Sequence, residues 1–248
     1  MFILLAALQI AALPTTPTAA SPGPPDPFAC PQADAPALAQ RFAATLRQAE
    51  GGDAPAMAQV GGRYVMGCGV AQDPAAAMRW SRRAADAGDA QGMLNLGMFY
   101  FQGIGAEANI PEALRWLRAA AEAGSTRAMV NLGMFLETGQ GVAADPAEAA
   151  RWYRRSADAG EPLAMQNLGM LYLNGQGVPR DDAEAFRLIG RAAALGEPMA
   201  MFVFGMLHAD ARGTARNEAE AERWIRRSAA AGFEPAVQAL AARGQPAQ

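Results

Sequence analysis

Apolar residues in this chain recur three and four positions apart in short runs, and the runs come in pairs. One pair covers residues 90–101 and 111–123, and that spacing predicts two amphipathic helices. A glycine-bearing turn joins them, Gly103-Ile104-Gly105 here and Gly139-Gln140-Gly141-Val142 in the next pair. The second run of each pair opens on a good helix cap: Asp73, Asn109, Asp145, Asp181 or Asn217. Four of these caps have a glutamate three residues on (Glu112, Glu148, Glu184, Glu220), the spacing of a capping box. The run ends on a glycine suited to left-handed backbone, at Gly88, Gly124, Gly160, Gly196 and Gly232.

Those glycines are spaced by 36 residues without a slip. A unit of that size cannot bury its own apolar face, so neighbours must stack into a continuous array. The expected fold is therefore all-α, an α-solenoid of antiparallel helix pairs. Other positions keep the same period. Glycine recurs mid-helix at Gly61, Gly97, Gly133, Gly169 and Gly205, where it costs about 1 kcal/mol against alanine. A cost borne five times predicts close approach of the paired helices, with Ala77 and Ala85 and their equivalents on the facing side. Trp80, Trp116, Trp152 and Trp224 fill the space beyond, Leu188 standing in once.

By these residues the chain resembles the Sel1-like repeat family, relatives of tetratricopeptide repeats. The motif A-x-x-x-L-G-x-x-Y-x-x-G-x-G-V, then D-x-x-x-A-x-x-W-x-x-x-A-A-x-x-G, is nearly complete over residues 128–160 and 164–196. The match covers about residues 53–232 and is weakest in the fifth unit, where His208 replaces a tyrosine and Ala211 a turn glycine. The resemblance implies a right-handed superhelix that acts as an adaptor or scaffold for a protein or peptide partner it does not identify.

The same frame sets the domain layout. Five units are expected at 53–88, 89–124, 125–160, 161–196 and 197–232, inside a solenoid spanning 35–244. A lone capping helix at 35–52 and a half-unit at 233–244 would close its ends. Residues 2–13, FILLAALQIAAL, are uncharged and too short to span a bilayer. With small residues before Ser21 they read as a signal peptide over 1–20, followed by a Pro-rich linker over 21–34; a bare apolar terminus is the other reading. Export to the periplasm or outside the cell follows from the first reading. In an oxidising compartment Cys30 and Cys68 are expected to pair, since the start of the capping helix and the end of its antiparallel neighbour share one end of the stack. Two unrelated thiols are the alternative.

Charge and composition narrow the chemistry. The chain has no lysine and a net charge of −3, which argues against a nucleic-acid partner. Arg82–Asp86, Arg118–Glu122 and Arg154–Asp158 are spaced for pairs along a solvated helix face. One histidine and two cysteines offer no zinc spacing, so no metal and no cofactor are expected. His208 reads as a packing residue with its polar tip towards solvent. A cysteine-rich branch of the resembled family is linked to penicillin binding and β-lactamase-like activity. Without lysine, no S-x-x-K nucleophile can exist here. No catalytic residue is assigned.

By analogy with tetratricopeptide repeats, the first helix of each pair lines the concave face. The inward positions then include Asn95, Asn131 and Asn167, with Gln59 in the first unit, and Met98, Met134, Met170 and Met206 beside them. Phe101 lies one turn further on. Amides on such a ladder can bond the backbone of an extended peptide, and methionines give an adaptable apolar floor. The same residues could equally satisfy backbone groups and fill gaps between helices. The expected function is a non-catalytic, monomeric interaction scaffold. The alternative is a cell-envelope enzyme or regulator acting on peptidoglycan-type or β-lactam-like substrates.

Overall fold

The caps act where the pattern puts them. Asp73, Asn109, Asp145, Asp181 and Asn217 each accept a backbone N–H three residues on. The reciprocal half of the capping box is not made, because the cap's own N–H donates to the end of the preceding helix. Asp73 N–H bonds Tyr64 O, Asn109 N–H bonds Tyr100 O, and Asp145 N–H bonds Leu136 O. The N3 glutamates Glu112 and Glu184 pair instead with Arg115 and Arg187.

The computed structural model describes residues 35–242, which form twelve α-helices and no strand. A lone helix α1 (Ala35–Glu50) comes first. The pairs are α2 (Ala54–Met66) with α3 (Pro74–Asp86), α4 (Ala90–Gln102) with α5 (Ile110–Glu122), and α6 (Thr126–Thr138) with α7 (Pro146–Asp158). Then come α8 (Pro162–Asn174) with α9 (Asp182–Ala194) and α10 (Pro198–Ala209) with α11 (Glu218–Ala230), and α12 (Glu234–Ala241) ends the array. Every helix packs on the next in sequence, which is the contact pattern of a solenoid. The expected signal peptide, the linker, Cys30 and the last two residues of the 35–244 span lie outside the described residues.

The mid-helix glycines mark the closest approach within each pair. A Cβ on Gly133 would stand 2.5 Å from the Tyr153 ring, and one on Gly97 would stand 2.7 Å from Leu117 Cγ. The second helix thus sends a bulky side chain into a notch that only glycine leaves open. Between units, the turn of one pair rests on the start of the previous second helix. At the N-terminal end α1 plays that part: a Cβ on Gly69 would lie 2.2 Å from the Leu38 carbonyl oxygen.

Arg82, Arg118 and Arg154 bond across to the next unit rather than to Asp86, Glu122 and Asp158 along their own helices. Arg82 donates to the Tyr100 hydroxyl at 2.8 Å and lies 4.7 Å from the centre of the Trp116 ring. Arg118 reaches Glu148 of the next unit at 2.8 Å, and Arg154 donates to the Tyr172 hydroxyl. Their stems lean towards the following pair, where a ring face or a carboxylate offers more than a short aspartate on the same helix.

Candidate functional site: a groove along the first helices

The first helices place their amides on a common surface. A hollow of about 650 Å³ runs from α2 across α4 to α6, lined by Gln59, Arg63, Asn95, Met98, Arg127 and Asn131 among others. A smaller hollow of about 260 Å³ continues it to α8, sharing Arg127 and Asn131 and adding Glu161 and Leu163. The apolar part of the larger hollow comes from Val65, Met66, Leu94 and Phe99. Among the described residues no carboxylate lines it, and the cations there are Arg63 and Arg127.

Of the residues singled out by spacing, Gln59, Asn95, Met98 and Asn131 meet in this hollow. The Asn95 amide donates to Ala58 O at 3.0 Å and accepts from Gln91 at 2.8 Å, so it ties α4 to α2. The Asn131 amide donates to Met98 Sδ at 3.4 Å. The other candidates are held elsewhere. Asn167 lies near the buried Tyr153 hydroxyl. Met134 is 44% exposed on α6 but lines neither hollow. Met170 packs on the main core, and Met206 on the C-terminal apolar cluster. Phe101 meets Phe135 edge-on with ring centres 5.0 Å apart.

Three polar lining residues escaped the spacing argument: Arg63, Gln91 and Arg127. Their signal was present, since each lies four residues from a ladder amide (Gln59, Asn95 and Asn131) and so shares its helix face. Tyr153 was missed for a different reason. Its ring lies wholly buried beneath Gly133, and its hydroxyl donates to Glu137 of α6 at 2.9 Å. Burial pushes its phenol pKa well above the ordinary value, and the Glu137 charge adds to the effect. Tyr153 is a structural tie between α6 and α7 rather than an acid or base.

His208 differs from expectation. Its ring meets Phe186 and Phe204 edge-on at 5.1 and 4.9 Å, and its Nδ1 is buried without a hydrogen-bond partner. The cause lies in the neighbouring unit. Gly190 stands where other units carry an arginine such as Arg82 or Arg154, and the Phe204 ring occupies the vacated space. Among the described residues, no group of three or more His, Cys, Asp or Glu could hold a metal ion. None of the described helices is long and apolar enough to cross a membrane.

Paired helices stacked in one direction, with a groove along the first of each pair, define an α-solenoid of the tetratricopeptide-like class. The family model described as Sel1 repeat matches residues 54–89, 90–125, 126–161, 162–197 and 198–233, and the chain belongs to that family. Repeats of this family generally mediate protein–protein interaction. The fold is similar to that of a Sel1 repeat protein from Oxalobacter formigenes, at 33% identity and TM-score 0.72, over 76% of this chain and 77% of the other. It is also similar to c5321, a protective antigen present in uropathogenic Escherichia coli strains displaying an SLR fold, at 30% identity and TM-score 0.74. That match covers 85% of this chain but 46% of the antigen. A putative Sel1 repeat protein from Klebsiella pneumoniae subsp. pneumoniae matches at 25% identity and TM-score 0.54, over 82% of this chain and 99% of the other. No curated protein matches the chain.

Proposed function

We propose that the protein is an exported, monomeric, non-catalytic scaffold that holds an extended segment of a partner protein along α2, α4 and α6. The observation that carries this reading is the 650 Å³ hollow, where the Asn95 and Asn131 amides, two arginines and an apolar floor face one continuous channel. An extended backbone presents alternating donors and acceptors, which side-chain amides can match from either end. The guanidiniums of Arg63 and Arg127 favour a segment that carries carboxylates. A glycan ligand would call for exposed aromatic platforms and convergent carboxylates, and the lining of this hollow favours the peptide instead.

Export and the Cys30–Cys68 bridge belong to the same proposal. The turn that carries Cys68 rests on the start of α1 at Leu38, and Cys30 lies five residues before Ala35, a reach of at most ~17 Å. No free cysteine is found among the described residues. The test is affinity capture from an envelope extract with the full chain and with an Asn95→Ala, Asn131→Ala variant. The variant should retain its unfolding free energy to within about 1–2 kcal/mol while partner recovery falls about tenfold or more. Undiminished recovery of the same partner by the variant would sink the groove.

A further inference from the structure

The repeat is its own reference for what fills each interface. Tyr100, Tyr172 and His208 share one position of the period, and in the third unit that position is Leu136. In the second unit Tyr100 packs with Met78, Leu96 and Trp116, and its hydroxyl accepts from Arg82 at 2.8 Å. Thirty-six residues on, the equivalents of Met78, Arg82, Leu96 and Tyr100 are Leu114, Arg118, Leu132 and Leu136. All four line a hollow of about 500 Å³ between α5, α6 and the turn at Val142. The fourth unit is filled again, with the Arg154 guanidinium 5.6 Å from the Tyr172 ring and bonded to its hydroxyl. The fifth is filled by His208 between Phe186 and Phe204.

A second departure from the repeat opens the same wall. Arg83, Arg155 and Arg227 lie over the rings of Trp80, Trp152 and Trp224 at 4.2 to 4.5 Å. The equivalent residue in the second unit is Ala119, which also lines the hollow. Two independent substitutions have therefore removed bulk from one place, and the missing group is known from the flanking units. It is a phenol ring whose oxygen meets a guanidinium.

We propose that this hollow is a binding site for a tyrosine side chain presented by a partner protein. The ring takes the place that Tyr100 and Tyr172 occupy in their own units, on a buried floor of Leu132 and Leu136. Its hydroxyl accepts from Arg118. That guanidinium already holds Glu148 at 2.8 Å, and with five donors it serves both. Burying an aromatic ring in a preformed apolar hollow with one polar contact is the usual make-up of an interface hot spot. The site shares no lining residue with the groove along α2, α4 and α6, so the fate of either proposal leaves the other standing.

The test uses the full chain with methyl-labelled leucine and valine and N-acetyl-L-tyrosinamide as the probe, followed by NMR. The tyrosine probe should shift the methyl signals of Leu114, Leu132 and Val142, and N-acetyl-L-leucinamide at equal concentration should not. Leu136→Tyr, which installs the residue of the flanking units, should abolish those shifts. Ala119→Arg, restoring the other missing side chain, should weaken them and serves as a second variant should Leu136→Tyr fail to fold. Arg118→Ala should weaken the tyrosine probe about three- to tenfold, to the level of N-acetyl-L-phenylalaninamide. Equal shifts from the leucine probe overturn the proposal, as do tyrosine shifts that survive in a folded Leu136→Tyr variant. Binding of p-cresol without binding of the tyrosine probe overturns it too, since the hollow would then take free phenols and not a side chain.

Discussion

Among the described residues, Ala211 is the only non-glycine with positive φ, at 55°. It holds the turn position that Gly67, Gly103, Gly139 and Gly175 hold in the other units at φ between 66° and 72°. Left-handed backbone costs an alanine roughly 1–2 kcal/mol, whereas glycine forfeits about 0.5–1 kcal/mol of chain entropy there. Ala211→Gly should therefore stabilise the protein by about 0.5–1 kcal/mol, read as a higher denaturant midpoint with an unchanged slope. A lower midpoint would show that the turn is not strained. This position was legible in the sequence, because a broken glycine ladder names its own exception. The partners of Arg82, Arg118 and Arg154 were not. Helical spacing identifies neighbours on one helix, and these side chains are instead recruited by rings and carboxylates across the interface to the next unit.

Single helices were the most legible level, since caps, turn glycines and the apolar period are local signals that agree. The second helix of the second unit, read at 111–123, is Ile110–Glu122. What the pattern could not give is how one element fastens to the next. Asp182, the first residue of α9, accepts from Arg180 beside it and from Arg212 in the turn of the fifth unit. Arg212 also donates to Leu173 O, so it clamps three segments at one junction. Hydrogen bonds from Arg180, then from Arg212, hold the Asp182 carboxyl far below the usual carboxylate range. A depressed folded-state pKa makes the contribution complete above the unfolded value near 4 and removes it as pH falls below that value. Asp182→Asn should thus lower stability by about 1 kcal/mol at pH 7, the scale of a well-formed, partly exposed pair. The gap to the parent protein should narrow steadily below about pH 4. Denaturation midpoints at pH 7 and in acid decide it, and a gap that stays constant across that range would remove the ion pair from the account.

Across the whole array the core is not uniform, and this sets where it opens. One continuous cluster runs from Leu94 to Trp224, while Phe42 to Ala84 and Ile225 to Leu240 form separate clusters at the two ends. A repeat array draws its stability from nearest-neighbour interfaces, so terminal helices with one neighbour open first. The same geometry explains why the groove was only half legible. Gln59, Asn95, Met98 and Asn131 follow from register, and Arg63, Gln91 and Arg127 share their helix faces one turn away, but the common hollow they line is defined only once three units are stacked. Amide hydrogen exchange should therefore be slowest in α6 to α9 and fastest in α12, with α1 slowed to the extent that the proposed Cys30–Cys68 bridge clips it. The proposed bridge would close a loop of about 40 residues and contribute at most about 4 kcal/mol on the loop-entropy model. Cys68→Ser should speed exchange in α1 and α2 and leave α8 and α9 unchanged. If all twelve helices accelerate together, the array unfolds as one cooperative block, and the division into a central core and two weaker ends is wrong.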